Sequence, residues 1–420
     1  MAPKIVLLAG EESGDGHGAR LITALKCLNP DVEIHGMGGA RMQAAGMHLI
    51  RNLDGMQIMG FYEVIKNLGR IRQVFLQVEQ SIRDLKPDLV CGIDYPGFNL
   101  RMEKRCKALG FKTAHYIAPQ VWAWKKGRAR QMARYLDLLI TIFDFEAPFF
   151  TPHGLNTQFV GHPLIEGYDR PGLWQRSNEL ADRLNLPGAK WPTLASAPTA
   201  SRPVRPLVLL PGSREQVLAH HLDRFVTAAE AARRAQNLAP DAMPVLVVRP
   251  PAAVGLAIWQ QVASRVIFVD GHLSEAAFLG QAVLSSSGTA CLEAGLTGTP
   301  MAVAYVGGAV SAALAHLLVD IPVISLVNIV LRGYLIDEYI QGEAHPAGLA
   351  EALTRLCTDA RRRTHLHEGL LQLPERLGWQ PGGGETPSSH AARLLLRTAG
   401  AGVGGMDQQL AAMGMPPKPA

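Results

Sequence analysis

Short apolar runs alternate with segments of helical period along most of this chain, and this alternation restricts its fold more than any other feature. Strand-type runs occur at 4–8, 32–36, 89–93, 112–117 and 138–143, and again at 207–210, 245–248, 266–269, 282–285 and 301–305. Between them lie amphipathic patterns such as 71–85, which repeats apolar residues at helical spacing. Strands that alternate with helices form parallel sheets covered on both faces, so the sequence predicts an α/β fold.

The strands fall into two series, and 420 residues exceed what one hydrophobic core usually holds. We therefore predict two doubly wound, Rossmann-like domains over 1–163 and 164–378, followed over 379–420 by a helix and a mobile tail. Domains of this kind place ligands at the carboxyl ends of their strands. The expected site lies in a cleft between two domains that face each other.

Composition excludes several classes of protein. Hydrophobic residues make up 48% and charged residues 18% of the chain, which excludes a disordered chain. The net charge of +5 is too small to indicate nucleic-acid binding. Five scattered cysteines without a C-x-x-C pair indicate a reducing compartment. No signal peptide is predicted, and the most apolar segment, 309–331, contains Asp320 and Pro322, so we interpret it as buried globular structure.

The first strand runs into a glycine-rich turn, AGEESGDGHG. Its glycines are spaced G-x-G-x-G, and no acidic residue ends the second strand, so a dinucleotide-binding dehydrogenase is disfavoured. Two interpretations of the turn stay open. Glu11 and Ser13 either contact a ligand, or Ser13 or Asp15 simply caps the following helix.

Asp94 directly follows a buried strand, in GIDYPGFNL. A carboxylate at the end of a parallel strand lies where doubly wound sheets hold their catalytic groups, and it can act as a general base. Alternatively, Asp94 caps the next helix or holds the turn.

The second domain contains two turns suited to phosphate. Ser213 and Arg214 follow the strand in LVLLPGSRE, where helix amides and a guanidinium can bind an anion; the alternative is a surface ion pair. The turn at Ser287, Gly288 and Thr289 offers amide donors to a diphosphate. Glu293 can accept hydrogen bonds from a ribose or form a capping box.

The stretch 58–75 combines large apolar side chains with basic ones. The apolar members are Ile58, Met59, Phe61 and Phe75, and the basic members are Lys66, Arg70 and Arg72. This composition suits contact with a membrane or an acyl chain, although core packing beside solvated charges explains it too. The histidines show no metal-ligand spacing, so we predict neither a metal nor a cofactor.

Taken together, these stretches resemble lipid-A-disaccharide synthase, a glycosyltransferase family of the two-domain GT-B type. The stretches are AGEESGD (9–15), GIDYPGFN (92–99), HYIAPQVWAWKKGR (115–128), FVGHPL (159–164), LLPGSRE (209–215), SSGTACLE (286–293) and SLVN (325–328). They occur in the family's order. Beyond SLVN the family often continues A-G-R-E, whereas this chain reads IVLRGYLIDE (329–338).

The resemblance implies an inverting enzyme that transfers 2,3-diacylglucosamine from UDP to 2,3-diacylglucosamine 1-phosphate (lipid X), giving lipid A disaccharide 1-phosphate and UDP. It implies Asp94 as the base, and Glu293 and Asn328 at the nucleoside. It also implies an acceptor-binding first domain, a UDP-sugar-binding second domain, a homodimer, and a cytoplasmic location at the inner membrane. The rival hypotheses are another GT-B enzyme, such as a UDP-GlcNAc epimerase or soluble-acceptor transferase, and a non-catalytic sugar-nucleotide-binding protein.

Overall fold

A computed structural model describes residues 2–53, 68–121, 127–193, 203–307, 323–380 and 384–401. The chain divides into two units, Met1–Glu166 with Leu377–Ala420, and Gly167–Arg376. Each unit is built around its own parallel sheet. The alternating pattern of the sequence thus corresponds to two α/β sandwiches.

The first unit orders its described strands β3-β2-β1-β4-β5-β6-β7, all parallel. The strands are β1 (Lys4–Ala9), β2 (Glu33–Gly38), β3 (His48–Asn52), β4 (Leu89–Ile93), β5 (Thr113–Tyr116), β6 (Leu138–Thr141) and β7 (Thr157–Phe159). The helices are α1 (Glu12–Leu28), α2 (Ala40–Ala44), α3 (Leu68–Leu85), α4 (Pro96–Ala108), α5 (Arg128–Met132) and α6 (Glu146–Phe150). Short 3₁₀ turns occupy Thr151–His153 and Pro163–Ile165.

The core of this unit lies where the central strands are covered on both faces. Every residue of β4 is buried, as the run LVCGI predicts. The amphipathic face of α3 packs with Val74, Val78 and Ile82 into a cluster that also contains Phe98 and Met102 of α4. Burial of each such side chain stabilises the fold by about 2 kcal/mol.

The second unit orders its described strands β10-β9-β8-β11-β12-β13, again parallel. The strands are β8 (Leu207–Leu210), β9 (Val245–Arg249), β10 (Ile267–Asp270), β11 (Ala282–Ser286), β12 (Met301–Tyr305) and β13 (Asp337–Ile340). The helices are α7 (Arg170–Arg183), α8 (Glu215–Ala235), α9 (Leu273–Leu279), α10 (Thr289–Leu296), α11 (Leu326–Leu331), α12 (Pro346–Thr358), α13 (Ala360–Leu370) and α14 (Leu373–Arg376). Short 3₁₀ turns occupy Pro187–Ala189, Pro251–Ala253, Ala257–Val262 and Gln341–Glu343.

The C-terminal helix α15 (Pro387–Ala399) belongs to the first unit, where it packs against α1. Its apolar stripe, which includes Ala391, Leu395 and Leu396, is fully buried. The sequence instead sets 379–420 apart from both domains, because composition does not reveal which sheet an amphipathic helix covers.

The apolar segment 309–331 is described only in its last part, which contains α11. Within the described ranges, every helix is too short or too polar to span a membrane.

Candidate functional site

Two strand-to-helix turns lie side by side in the first unit. Strands β1 and β4 are parallel neighbours that pair Ala9 with Ile93, so the turns that follow them start at the same level. A Cβ atom on Gly10 would lie 2.0 Å from Cδ1 of Tyr95, so only glycine lets the tyrosine ring lie across the first turn. The turn carrying Glu11 and the turn carrying Asp94 therefore contact each other.

The backbone at Asp94 is held in an unusual conformation. Asp94 and Tyr95 have φ angles of 48° and 50°, the left-handed region that side chains other than glycine seldom adopt. Hydrogen bonds hold the turn: the Asp94 amide donates to the Tyr116 carbonyl at 2.9 Å, and Nδ2 of Asn99 donates to the carbonyls of Asp94 at 2.7 Å and Leu8 at 2.9 Å. The helix-cap alternative for Asp94 is wrong, because Tyr95 occupies the N-cap position of α4.

The Asp94 side chain is only partly exposed. Burial raises the pKa of this carboxyl, while the nearby His115 ring and the Tyr95 amide act in the opposite direction. A carboxylate with a raised pKa is a stronger base than an ordinary aspartate. The environment of Asp94 therefore suits proton abstraction.

A buried acid–histidine pair lies beneath this turn. Glu103 of α4 and His115 of β5 are both fully buried, with Oε1 of the glutamate 2.7 Å from Nδ1 of the histidine. The same oxygen accepts a hydrogen bond from the Gly92 amide at 3.1 Å. The sequence analysis does not predict this pair, because it considers the histidines only as metal ligands. The position of His115 inside a buried strand could have indicated that its ring needs a buried polar partner.

In the turn after β1, Glu11 is partly exposed, and Ser13 is exposed in the first turn of α1. Burial and then the Glu11 carboxylate raise the pKa of the Tyr95 hydroxyl. The capping alternative is wrong for both of its candidates, because α1 already begins at Glu12 with Glu11 at the N-cap position. The Asp15 carboxylate instead accepts hydrogen bonds at the start of α2, from the amides of Gly39 at 2.7 Å and Met42 at 3.0 Å.

In the second unit, the turn after β8 exposes Ser213 and Arg214. Gly212 has a φ angle of 119°, which other residues do not readily adopt. Arg214 occupies the N-cap position of α8, beside the amides of its first turn. Among the described residues, no side chain pairs with its guanidinium, so the surface ion pair considered from sequence is not formed there.

The turn after β11 lies next to this one, because β8 and β11 are neighbours that pair Leu210 with Ser285. Gly288 has a φ angle of 155° and precedes α10, whose first residue, Thr289, is exposed. The Ser287 hydroxyl donates a hydrogen bond to the Ile324 carbonyl at 2.8 Å. The N-termini of α8 and α10 and the Arg214 side chain therefore lie at the same edge of the sheet.

Glu293 lies on the second turn of α10 and is partly buried. Its Oε1 accepts a hydrogen bond from the Ser274 hydroxyl at 2.7 Å, and burial raises the pKa of its carboxyl. Glu293 is the fifth residue of α10, whereas a capping box requires a glutamate at the third, so the capping box considered from sequence is not formed.

Asn328 is fully buried and its amide is saturated within the chain. Oδ1 accepts from the amides of Leu335 at 2.9 Å and Ile336 at 3.0 Å, while Nδ2 donates to the Ile336 carbonyl at 2.9 Å and to Oε1 of Glu338 at 2.7 Å. A primary amide has two donors and two acceptor lone pairs, and all are used. The resemblance implies that Asn328 contacts the nucleotide. In this structure its side-chain amide has no donor or acceptor left for such a contact.

Much of the predicted membrane or acyl stretch, including Ile58, Met59, Phe61 and Lys66, lies outside the described residues. Arg70 and Arg72 are exposed on α3. Phe75 packs instead against the core, with its ring 5.4 Å from that of Phe98 in an edge-to-face contact. For Phe75 the core alternative is therefore correct.

In the described ranges, no group of three or more metal-ligating side chains is arranged to hold an ion.

The fold defines the class of protein. The calicheamicin glycosyltransferase CalG4 superposes with a TM-score of 0.55 at 15% identity, covering 95% of this chain and 99% of that structure. The UDP-GlcNAc 2-epimerase of Neisseria meningitidis, solved with UDP-GlcNAc, gives 0.54 at 11% identity, covering 95% and 99%. The chain thus has the two-domain α/β fold of GT-B glycosyltransferases and related enzymes, as the sequence predicts.

Sequence similarity identifies the family. A family model described as lipid-A-disaccharide synthetase matches residues 5–376. The lipid-A-disaccharide synthase of Myxococcus xanthus is 33% identical over 383 residues, covering 90% of this chain and 94% of the relative. That of Azotobacter vinelandii is 36% identical over 399 residues, covering 89% and 98%. The chain belongs to the lipid-A-disaccharide synthase family, which confirms the resemblance and does not favour the rival hypotheses.

Proposed function

We propose that this enzyme transfers 2,3-diacylglucosamine from UDP-2,3-diacylglucosamine to O6 of 2,3-diacylglucosamine 1-phosphate. The products are the β-1′,6-linked lipid A disaccharide 1-phosphate and UDP. Family membership supports the reaction. The observation that carries the mechanism is Asp94, a partly buried carboxylate at the end of a central strand, on a turn held in the left-handed region.

Asp94 is the proposed general base. Its carboxylate takes the proton of the acceptor O6 hydroxyl as O6 attacks the anomeric carbon from the face opposite to UDP. The bond to UDP breaks with its electron pair remaining on the diphosphate, so the anomeric configuration inverts. The raised pKa of Asp94 strengthens the base, and the Tyr95 amide and the His115 ring favour its ionised form.

The second unit is proposed to bind the UDP-sugar. Arg214 and Ser213, together with the turn at Ser287, Gly288 and Thr289, are proposed to stabilise the negative charge that develops on the departing diphosphate. The exposure of Arg214 and its lack of a described partner support this role, since the guanidinium is available to a ligand. Glu293 is proposed to accept hydrogen bonds from the ribose, because Ser274 already orients its carboxylate.

The first unit is proposed to bind the acceptor. Glu11 lies on the turn next to that of Asp94, and Ser13 follows it in the first turn of α1, where hydroxyl groups of the acceptor sugar would approach the base. Apart from Phe75, which packs against the core, the stretch 58–75 is proposed to contact acyl chains and the cytoplasmic face of the inner membrane, with Arg70 and Arg72 next to anionic head groups. We also propose a homodimer, which the family resemblance implies.

The test is direct synthesis by the purified protein. Incubation with UDP-2,3-diacylglucosamine and lipid X should give disaccharide 1-phosphate and UDP, detected by mass spectrometry. Asp94→Asn should lower kcat between about a hundredfold and ten-thousandfold, because it removes a general base. The control Asp84→Asn replaces an exposed aspartate on α3 and should leave the rate unchanged. Failure of the wild type to form product refutes the reaction, and a fully active Asp94→Asn variant refutes the base.

A further inference from the structure

Glu103 and His115 form a buried polar pair for which the proposed reaction has no direct use. Both side chains are completely inaccessible to solvent, and Nδ1 of His115 lies 2.7 Å from Oε1 of Glu103. Buried ionisable groups cost stability unless they are paired, and apolar replacements of similar volume often cost less. A pair of this kind therefore invites a functional explanation.

The strand register places the pair beside the catalytic turn. His115 of β5 is paired with Gly92 of β4, two residues before Asp94, and the next pair joins Ile93 to Tyr116. Residues two apart on a strand lie on the same face of the sheet, so His115 is diagonal to the start of the Asp94 turn. The Asp94 amide is in turn hydrogen bonded to the carbonyl of Tyr116, the residue after His115.

Gly92 makes room for the pair. A Cβ atom at this position would lie 2.3 Å from Oε1 of Glu103 and 2.7 Å from Cβ of Asn99. The space that a side chain would fill is thus occupied by the glutamate that holds His115 and by the asparagine that holds the Asp94 carbonyl. The glycine of the GID motif, the pair and the base form one packed arrangement.

We propose that Glu103 and His115 are positioning residues for Asp94: Glu103 holds His115 as an imidazolium, and this buried cation keeps the nearby Asp94 carboxylate ionised and ready to accept a proton. The proposal rests on Asp94 as the base of the proposed reaction. It adds two residues that touch neither substrate and act only through Asp94.

The electrostatics are consistent in both directions. Burial lowers the pKa of His115, but Glu103, Asp94 and the Ile117 carbonyl together raise it above its ordinary value. Burial raises the pKa of Asp94, and His115 opposes that increase. Each group thus favours the charged form of the other, as linkage requires.

Other titratable groups near the pair stay neutral. They are the thiols of Cys91 and Cys106 and the hydroxyl of Tyr135, and burial followed by the Glu103 charge raises the pKa of each, to about 12 for Cys106 and Tyr135. The charged groups that act on these three from outside the pair are Glu79, Arg83 and Arg128. In a plot of kcat/KM against pH, the fall in activity on the acidic side, the acidic limb, should therefore reflect protonation of the Asp94 carboxylate as influenced by its histidine neighbour.

The first test is the pH dependence of kcat/KM for disaccharide synthesis. His115→Asn retains a donor near the Nδ1 position for Glu103 but removes the cation, so the acidic limb should move to higher pH by about one unit, with activity recovered at alkaline pH. Glu103→Gln should shift the limb in the same direction, because the histidine loses the carboxylate that keeps it charged. If Glu103 acted on Asp94 directly, removing its negative charge would shift the limb to lower pH.

The matched control is His162→Asn. It removes another buried histidine of the first unit, one whose pKa is depressed to about 3 by burial and by His17 and Arg20, so no cation is lost near neutrality. The acidic limb of the His162→Asn variant should coincide with that of the wild type, even if the variant is less stable. The proposal is overturned if the acidic limb of a folded His115→Asn variant is not shifted. It is also overturned if the limb of Glu103→Gln moves to lower pH.

A second test needs no catalysis. Titration of the His115 ring nitrogens by NMR should show an imidazolium near pH 7, and Asp94→Asn should lower the titration midpoint, since it removes a charge that favours the cation. An unchanged midpoint, or a neutral ring near pH 7, overturns the proposal even if His115→Asn does not fold. Because this readout is independent of turnover, it separates failure of the positioning pair from failure of the proposed reaction.

Discussion

The Ser287 hydroxyl donates a 2.8 Å hydrogen bond to the carbonyl of Ile324. The same short segment is held on its other side by Glu338, whose carboxylate accepts from the Ile324 amide at 2.7 Å and the Ser325 amide at 3.0 Å. Glu338 in turn accepts from Asn328. The turn proposed to bind diphosphate is therefore connected, through three hydrogen-bonded side chains, to the loop at 329–338 where this chain departs from its family's pattern.

Asn328→Ala should destabilise the second unit by about 3 kcal/mol, because it leaves buried amides and carbonyls of the loop without partners. The free energy of unfolding, measured by urea denaturation, tests this. Gln260→Ala, which truncates an exposed amide of the same unit, should change it by less than about 0.5 kcal/mol. Normal stability in Asn328→Ala combined with lost UDP affinity would instead indicate direct contact with the nucleotide.

Arg214→Ala should weaken UDP binding about tenfold, because a charge-assisted hydrogen bond to the diphosphate is lost. The side chain is exposed and without a described partner, so the free energy of unfolding should stay within about 0.5 kcal/mol of the wild-type value. Isothermal titration calorimetry with UDP measures the affinity. Arg234→Ala removes the same charge from the far end of α8 and should bind UDP normally; equal affinities for all three proteins would exclude the diphosphate role.

Gly92→Ala should destabilise the first unit by about 1–3 kcal/mol, because the added methyl group collides with Glu103 and Asn99 inside the core. Gly97 provides the comparison, since it lies in the first turn of α4 and a Cβ there would meet nothing within 4 Å. Gly97→Ala should be neutral or slightly stabilising. Thermal denaturation of both variants measures the difference, and equal melting temperatures would argue against close packing around Glu103.

Acidification should destabilise the first unit through His162. This side chain is 3% exposed and accepts a hydrogen bond from the Leu164 amide, and burial lowers its pKa from 6.5 to about 3. Between these two pKa values, the unfolded chain takes up a proton that the folded chain excludes. The free energy of unfolding should therefore decrease by about 1 kcal/mol for each unit by which the pH is lowered. His17, with a pKa lowered to about 4, acts in the same direction.

His162→Asn preserves an acceptor for Leu164 and removes the titration, so its stability should depend less steeply on pH between about 6.5 and 4.5. Urea unfolding at several pH values compares the slopes, which are independent of any packing lost on substitution. Identical slopes in the two proteins would show that His162 is already protonated in the folded state.

The central strands were predictable because they are buried on both faces and are therefore continuously apolar. Leu89–Ile93 and Leu207–Leu210 form strands over the predicted residues, whereas β3 and β13 were not predicted. Both lie at the edges of their sheets and are mostly half-exposed. An edge strand packs on fewer neighbours, so polar sequences such as DEYI satisfy it and the apolar signal disappears.

The amino-acid sequence by itself determined the α/β class, the family, and the positions of Asp94 and Arg214 directly after buried strands, because apolar periodicity and turn residues act over a few neighbouring positions. Tertiary structure alone decided that Glu103 meets His115 and that Asn328 is saturated by 335–338. The physical reason is that a buried polar side chain must find partners wherever the fold brings them. Such partners are set by strand order and helix packing, which no local spacing in the chain records.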